Sequence, residues 1–182
     1  VYRAMQPGCK FDNCLVLSGG QGLGKSTFFK IIANEWFAEL QEMQNSKVAF
    51  ETMQGKWILE MAEMYASRKS AIEAQKTFIT QQHMTVRQEY GTQAMSYPRR
   101  CVFGATTNES SFLHDVTGDR RWWVAFCHRK SPIDFKALKE VRHQLWAEAF
   151  ALYIAGEKLT LSEDATRIAK CQQELATKPD PW

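Results

Sequence analysis

One stretch of this chain constrains its fold more than any other: Gly19-Gly20-Gln21-Gly22-Leu23-Gly24-Lys25-Ser26. It has the spacing G-x-x-x-x-G-K-S/T, in which glycines let backbone N–H groups surround an anion. The apolar run from Cys14 to Leu17 precedes it as a buried strand would. From Ser26 to about Leu40, apolar residues recur at helical spacing. A strand, a glycine loop and a helix in this order predict a phosphate site at the start of the helix.

Each residue type in the loop has a predicted task. The helix N-terminus adds partial positive charge. Lys25 is predicted to bridge the β- and γ-phosphates of ATP, and the Ser26 hydroxyl to bind Mg²⁺. The predicted nucleotide-binding residues are Gly19, Gly20, Gln21, Gly22, Leu23, Gly24, Lys25, Ser26 and Thr27. The alternative interpretation is a glycine turn that opens a helix without binding a ligand.

Composition narrows the class of protein but not its partner. The 182 residues, 45% hydrophobic and 24% charged, are typical of one soluble domain with a real core. A net charge of +3 neither indicates nor excludes a nucleic-acid partner. The five cysteines contain no C-x-x-C pair, which favours reduced thiols in a cytoplasmic protein. No apolar run approaches a membrane span. The chain begins with Val1 rather than Met, and we interpret it as a piece of a longer protein.

Strand and helix signals alternate along the chain. This alternation predicts an α/β fold with a mainly parallel sheet flanked by helices, and a ligand at the carboxyl ends of the strands. We expect a lead-in at 1–12, a nucleotide-binding core at 13–130, and a C-terminal helical part with a tail at 131–182. Beyond the loop, the predicted elements are a strand at Trp57 to Met64, a helix at Ala66 to Thr80, an exposed hairpin or loop at Met84 to Tyr97, strands at Arg100 to Thr107 and Trp122 to Cys127, a helix from Ser131 to about Ala155, and a last helix at Thr166 to Leu175.

The helix beginning near Ser131 carries one apolar stripe that we predict to be core. Its members share helical spacing and are Phe135, Leu138, Val141, Leu145, Ala149 and Leu152.

A phosphate loop also needs an acidic partner for the metal and a polar group near the attacking water. Glu60 and Glu63 end an apolar run and are the candidate acids, although a solvated helix face explains them as well. Three residues apart on a strand, they point to opposite faces unless the strand bends or ends between them. Asn108 follows another predicted strand and is either a γ-phosphate ligand or a turn-forming residue.

Two adjacent arginines, Arg120 and Arg121, precede the strand predicted at Trp122. The planar guanidinium group matches phosphate charge, so one of them is a candidate finger entering a neighbouring subunit's site. Surface salt bridges are the alternative for this pair.

Taken together, these segments resemble the virulence-associated E family of phage and plasmid proteins, related to the superfamily 3 helicases within the AAA+ ATPases. The resemblance runs from Pro7-Gly8 to Trp123. It is carried by Gly22-Leu23-Gly24-Lys25-Ser26-Thr27, Trp57-Ile58 with Glu60 and Glu63, Lys76-Thr77-Phe78, Arg87 with Tyr90-Gly91, Pro98-Arg99, Thr106-Thr107-Asn108 and Thr117-Gly118-Asp119-Arg120-Arg121. The sequence departs from the family at Met84, where an acid is usual, and at Glu89, where proline is common.

The resemblance implies the ATPase core of a replication protein, assembled as a homo-oligomeric ring, a hexamer, that moves on single-stranded or forked DNA. It implies that Glu60 and Glu63 are the Walker B acids, with Glu63 the first choice to polarise water. Asn108 would then be the first sensor. The segment from Lys76 to Tyr90 would contact DNA, with Lys76 and Arg87 as the candidate residues.

Three classes of function stay open at this stage. The first is a DNA-dependent ATPase motor or helicase. The second is a P-loop phosphotransferase acting on a small molecule as a monomer. The third is a nucleotide-gated DNA-binding or initiator module with little turnover. Molecular size with and without ATP separates the first two, and turnover separates the first from the third.

Overall fold

The computed structural model describes residues 1–62, 69–87, 92–113, 119–128 and 134–177. The helices are α1 (Tyr2–Met5), α2 (Lys25–Ala33), α3 (Ser46–Met53), α4 (Lys69–Thr80), α5 (Phe135–Ile154) and α6 (Glu163–Ala176). The strands are β1 (Cys14–Ser18), β2 (Phe37–Glu39), β3 (Ile58–Met61), β4 (His83–Arg87), β5 (Ala94–Pro98), β6 (Val102–Thr107) and β7 (Trp122–Phe126). Short 3₁₀ turns at Asn34–Trp36 and Asp119–Arg121 precede β2 and β7.

A five-stranded sheet in the order β2-β3-β6-β1-β7 forms the centre of the fold, and every neighbouring pair in it is parallel. The predicted α/β class with a mainly parallel sheet is therefore confirmed. All of β3 and almost all of β6 and β1 are buried, as expected of parallel strands covered on both faces. Because the strands run the same way, the carboxyl ends of β1, β3 and β6 meet at one edge.

The segment predicted as an exposed hairpin or loop is an antiparallel hairpin of β4 and β5. Only one of its faces is exposed, since Met84 and Val86 alternate inward on β4 and are buried. The hairpin packs on α3, where the Phe50 ring lies 4.7 Å from the Tyr97 ring. The hairpin is thereby joined to the core rather than projecting from it as a polar loop.

The helix predicted from Ser26 to Leu40 is too long. Helix α2 ends at Ala33, and Asn34 has a positive φ of 51°, a backbone conformation that asparagine tolerates. The chain then forms β2, which the sequence pattern did not indicate. The helical spacing of apolar residues gave a wrong prediction at Trp36, because this residue does not continue the helix. Its ring stacks on the Trp57 ring, with ring centroids 4.3 Å apart.

The lead-in at 1–12 is also more ordered than its pattern predicts. It contains the one-turn helix α1, and Arg3 within it is only 2% exposed. The Arg3 guanidinium donates to the carbonyl oxygens of Cys9 and Cys101, which ties the lead-in to the segment entering β6.

Helix α5 is present, but its predicted core stripe is wrong. Val141, Leu145 and Leu152 are 47%, 42% and 53% exposed, and no residue of α5 is buried. The helix instead contacts α2 through Trp146, whose Nε1 donates to the Ile32 carbonyl at 2.9 Å. Asp134 caps the helix by accepting from the Ala137 amide, and the predicted helix start at Ser131 lies outside the described residues. None of the described helices is both long and apolar enough to span a membrane.

Helix α2 packs closely on the sheet at Gly104 in β6. A β-carbon built there would lie 2.5 Å from two ring atoms of Phe29. We expect Gly104→Ala to lower the free energy of unfolding by about 1–3 kcal/mol, because the ring or the helix must move. Urea unfolding measures the change. Phe29→Leu shortens the opposing side chain, so the double variant should lose less than the sum of the two single losses. An unchanged midpoint in Gly104→Ala would contradict this close contact.

Candidate functional site

The glycine loop joins β1 to α2 at the carboxyl edge of the sheet. Gly22 and Gly24 have φ values of 77° and 76°, which L side chains rarely adopt. At Gly19 a β-carbon would lie 2.6 Å from the Cys127 carbonyl oxygen, so neighbouring backbone requires a glycine there. Gly20 is different, because it does not have a positive φ and a β-carbon there would meet nothing within 4 Å. Three of the four glycines are therefore required by the shape of the loop, while Gly20 borders open space.

The start of α2 is suited to an anion. Its N-cap is Gly24, and no side chain caps its first turn. The first amides of a helix have no partner within the helix and carry partial positive charge. Thr27 lies in this turn, Gln21 is exposed, and a methyl carbon of Leu23 lies against Gly19. The loop thus presents uncapped amides beside the Lys25 side chain.

Lys25 is only 8% exposed and its ammonium group lies across the loop. Nζ donates to the carbonyl oxygens of Gly19 at 2.7 Å and Gly20 at 2.9 Å. It also donates to Oδ1 of Asn108 at 3.0 Å. The structure therefore brings together two predicted site residues that are far apart in the chain.

Glu60 in β3 is fully buried beside the first turn of α2. Its Oε1 accepts from the Ser26 hydroxyl at 2.6 Å and from the Thr106 hydroxyl at 2.8 Å. Its Oε2 is buried and has no hydrogen-bond partner among the described residues. Buried carboxylate oxygens are normally bonded, so this one has capacity left for a further ligand.

The donor set at Glu60 fits Mg²⁺. This ion is usually held by one or two carboxylates and substrate phosphates, and it keeps several waters. One unsatisfied carboxylate oxygen next to a serine hydroxyl meets that need. No group of three or more His, Cys, Asp or Glu that could hold a metal exists in the described part of the chain. Among the described residues, Glu60 and Ser26 could hold the ion.

Thr106 is a site residue that sequence reasoning did not assign a role. The strand order makes β3 and β6 neighbours, and their register pairs Glu60 with Gly104. Thr106 lies two residues further along β6 on the same face, which brings its hydroxyl to the carboxylate. The only sequence signal was its place before Asn108, because the contact depends on which strands are adjacent.

Glu63 lies outside the described residues. Strand β3 ends at Met61, before Glu63 is reached, so the alternation argument for opposite faces does not extend to it. Its role as the residue that polarises water stays a prediction.

Arg120 and Arg121 lie at the opposite, amino edge of the sheet. Strand β7 pairs with β1 in the register Cys14 to Trp122 and Ser18 to Phe126. At about 3.3 Å per residue, Arg121 is roughly 20 Å from the loop along the strands. Arg120 is exposed, and its carbonyl accepts from the Asn13 side chain. Neither arginine is therefore placed to reach the glycine loop of its own chain.

The two residues predicted to contact DNA have different surroundings. Lys76 on α4 is 4% exposed, and its Nζ lies 3.1 Å from Oε1 of Glu73. Arg87 is exposed at the end of β4. Residues 88–91, which include Tyr90-Gly91, lie outside the described residues.

Comparisons with known proteins support the sequence resemblance. One family model, the virulence-associated protein E-like domain, matches residues 1–178. No curated protein matches the chain. Solved structures that resemble the chain include the A form apo structure of the NrS-1 C-terminal region. The two share 21% sequence identity with a TM-score of 0.50, and the match covers 88% of this chain and 42% of that one. A second apo structure of that region, residues 305–718, has 18% identity and a TM-score of 0.51 over 89% of this chain and 43% of that one. The likeness is one of fold, and the chain spans less than half the length of these structures.

Proposed function

Since the chain belongs to the virulence-associated protein E-like domain family, we propose that it is the P-loop ATPase core of a phage or plasmid replication protein that acts on DNA. In this proposal the sheet is that of an AAA+ ATPase related to the superfamily 3 helicases. The observation that carries it is the convergence of Lys25, Ser26, Glu60 and Asn108 at one edge of the sheet.

These residues have complementary roles in phosphoryl transfer. The uncapped amides of α2 and the loop hold the phosphate oxygens, and Lys25 neutralises charge on the β- and γ-phosphates. Its present partners are two neutral loop carbonyls and an amide oxygen, which an anionic phosphate can displace. Asn108 is then released from Lys25 and can hydrogen-bond the γ-phosphate or the attacking water.

Glu60 and Ser26 would hold Mg²⁺ in the nucleotide complex. When bound, the ion neutralises charge on the phosphates. The Thr106 hydroxyl fixes the orientation of the Glu60 carboxylate by donating to Oε1, which leaves Oε2 as the oxygen available for the ion. Glu63 remains our choice for the residue that polarises water.

The position of the two arginines supports assembly. A guanidinium at the amino edge of one subunit can complete a site only on another subunit, so the proposal requires a homo-oligomeric ring, which we take to be a hexamer. Of the predicted DNA contacts, Arg87 is exposed at the end of β4, whereas the buried Lys76 side chain would have to leave its ion pair with the half-exposed Glu73.

We expect Arg121→Ala to keep ATP binding and to lose about 10³-fold or more in turnover, the usual effect of removing an arginine finger. If Arg121→Ala keeps turnover, Arg120→Ala should lose it. Arg167→Ala is the matched control, because Arg167 is exposed on α6 and pairs only with Asp164 in the described structure.

A mixing experiment tests whether the arginine acts between subunits. Combining Arg121→Ala with Lys25→Ala chains should restore part of the turnover, since some interfaces then contain an intact loop and an intact finger. Loss of ATP binding in both arginine variants, or no recovery on mixing, would contradict the finger role.

ATP turnover by the purified chain, with and without single-stranded DNA, tests the proposed function as a whole. Turnover that needs Mg²⁺ and rises with DNA supports a motor. ATP binding without turnover in the assembled protein favours the nucleotide-gated DNA-binding module. A monomer in ATP that phosphorylates a small acceptor would favour the phosphotransferase. Size measurement in ATP accompanies the assay, because the proposed site needs a neighbour.

A further inference from the structure

A cavity lies at the amino edge of the sheet, opposite the glycine loop. It has a volume of about 380 Å³ and is lined where the chain enters β3 and β6, at Trp57 and Cys101. The turn after α3, with Gln54 and Gly55, and the end of β5, with Tyr97, also line it. We call this cavity the amino-edge groove.

The charge of the amino-edge groove is entirely positive. Its twelve lining residues include Lys56, Arg99 and Arg100 but no aspartate or glutamate. Lys56 Nζ donates to the backbone carbonyl of Glu35 at 2.8 Å, and Arg100 is exposed. Neither forms an ion pair with a carboxylate among the described residues. The groove therefore favours an anionic occupant.

Arg99 adds a buried charge to the groove. It is 3% exposed, its guanidinium lies 4.2 Å from the Phe78 ring centroid, and it donates to the Phe78 carbonyl and to Oε1 of Gln81. Its Nε is buried without a partner in the described structure. Burial lowers the pKa of Arg99 to about 10, so the group stays charged at neutral pH.

The remaining wall of the groove is aromatic. Phe50, Trp57 and Tyr97 line it, and the Phe50 and Tyr97 rings contact each other at 4.7 Å. Trp57 is held by stacking on Trp36. Aromatic rings next to cations are what nucleobases and their phosphates bind in single-stranded nucleic-acid sites, largely regardless of sequence.

We propose that the amino-edge groove binds a segment of single-stranded DNA, with a base against Tyr97 and Phe50 and its phosphates near Arg100 and Lys56. Four of its lining residues are exposed, so the groove is open to solvent: Gln54, Gly55, Pro98 and Arg100. The choice of DNA rests on the proposed function, but the groove lies at the opposite edge of the sheet from the glycine loop. DNA held here lies on the same sheet edge as Arg120 and Arg121.

The first test compares charge variants of the whole chain without nucleotide. The probe is a fluorescently labelled single-stranded oligothymidylate of about 10 nucleotides, followed by anisotropy. Arg100→Glu should weaken binding about tenfold and lower its salt dependence, because phosphate contacts release counterions. Lys170→Glu makes the same charge change on exposed α6 and should have little effect. Equal losses of affinity in both variants would contradict binding in the groove, since only the net charge of the chain would then matter.

The second test separates stacking from packing. Tyr97→Phe keeps the aromatic face and should bind like the wild type, whereas Tyr97→Leu keeps an apolar side chain and should bind about tenfold more weakly. Equal affinities in the two variants would overturn the base contact. If thymidine monophosphate competes as well as the oligonucleotide, the groove binds a single nucleotide rather than a strand. If oligouridylate binds more tightly than oligothymidylate, the occupant is RNA rather than DNA.

Failure of this inference can be distinguished from failure of the proposed function. Basal ATP turnover without DNA should be unchanged in Arg100→Glu and Tyr97→Leu, because the groove is at the opposite edge from the loop. Lys25→Ala should still bind the oligonucleotide in the absence of nucleotide. If the wild-type chain does not bind the oligonucleotide, the proposal that the groove binds DNA is wrong. If the chain binds the oligonucleotide but shows no ATP turnover, only the proposed ATPase activity is contradicted.

Discussion

Lys25→Ala is expected to abolish ATP hydrolysis and to leave the fold intact. The substitution removes the one ammonium group that lies across the loop, so phosphate charge is no longer neutralised there. Loss of a single well-placed donor to a transition state typically costs about 10²–10³-fold in rate, and a cation should cost at least as much. The three acceptors left behind are two loop carbonyls and the Asn108 side chain, all near solvent, so water can replace the lysine.

The matched control for this variant is Lys30→Ala. Lys30 lies on α2 as well, but it is exposed and pairs with Glu39 at the surface. It should keep full turnover. Turnover is measured with purified chain in excess Mg²⁺, and thermal unfolding reports on the fold. Retained hydrolysis in Lys25→Ala would exclude the loop as the phosphate site, while unfolding of the variant would assign Lys25 a structural role.

Glu60→Gln should lose turnover without losing stability. The amide oxygen can still accept from Ser26 and Thr106, so the local packing is kept. The second position becomes an NH₂ group, which cannot bind a cation. We expect turnover to fall at least about 10²-fold and the Mg²⁺ concentration needed for tight ATP binding to rise. Removing a fully buried charge should leave the free energy of unfolding unchanged or higher.

A Mg²⁺ titration of ATP binding, together with urea unfolding, tests Glu60→Gln. Glu39→Gln is the control, because Glu39 faces Glu60 across the β2–β3 pair but is exposed. If Glu60 only supports the fold, its variant should unfold more easily with an unchanged Mg²⁺ requirement. That result would remove Glu60 from the metal site and leave Glu63 as the remaining candidate acid.

The sequence predicted those elements whose information is local. The glycine loop, the start of α2, the hairpin and β7 were placed within a few residues. Predictions based on apolar spacing alone were less reliable. The helix from Ser26 was extended through Trp36, which packs on Trp57, and the stripe on α5 was assigned to a core that does not cover it. Spacing shows that residues share a face but not whether another element lies against that face.

In the candidate site too, some features follow from local sequence and others only from tertiary packing. Lys25 and Ser26 could be placed in the first turn of a helix from the sequence, because the loop and that turn depend on adjacent residues. Asn108 and Glu60 could be named only as polar residues ending strands, with equally good structural explanations. What joins them is the insertion of β6 between β1 and β3, which no local pattern encodes.

The sequence by itself determined that a glycine loop opens a helix, because backbone conformation depends on neighbouring residues. Only the tertiary structure decided that the Glu60 carboxylate lies against Ser26, that the Thr106 hydroxyl donates to it, and that Arg120 and Arg121 lie at the other edge. It also decided that Lys56, Arg99 and Arg100 gather around one aromatic groove. These relations depend on strand order and register, which are set by the packing of the whole sheet rather than by any segment of the chain.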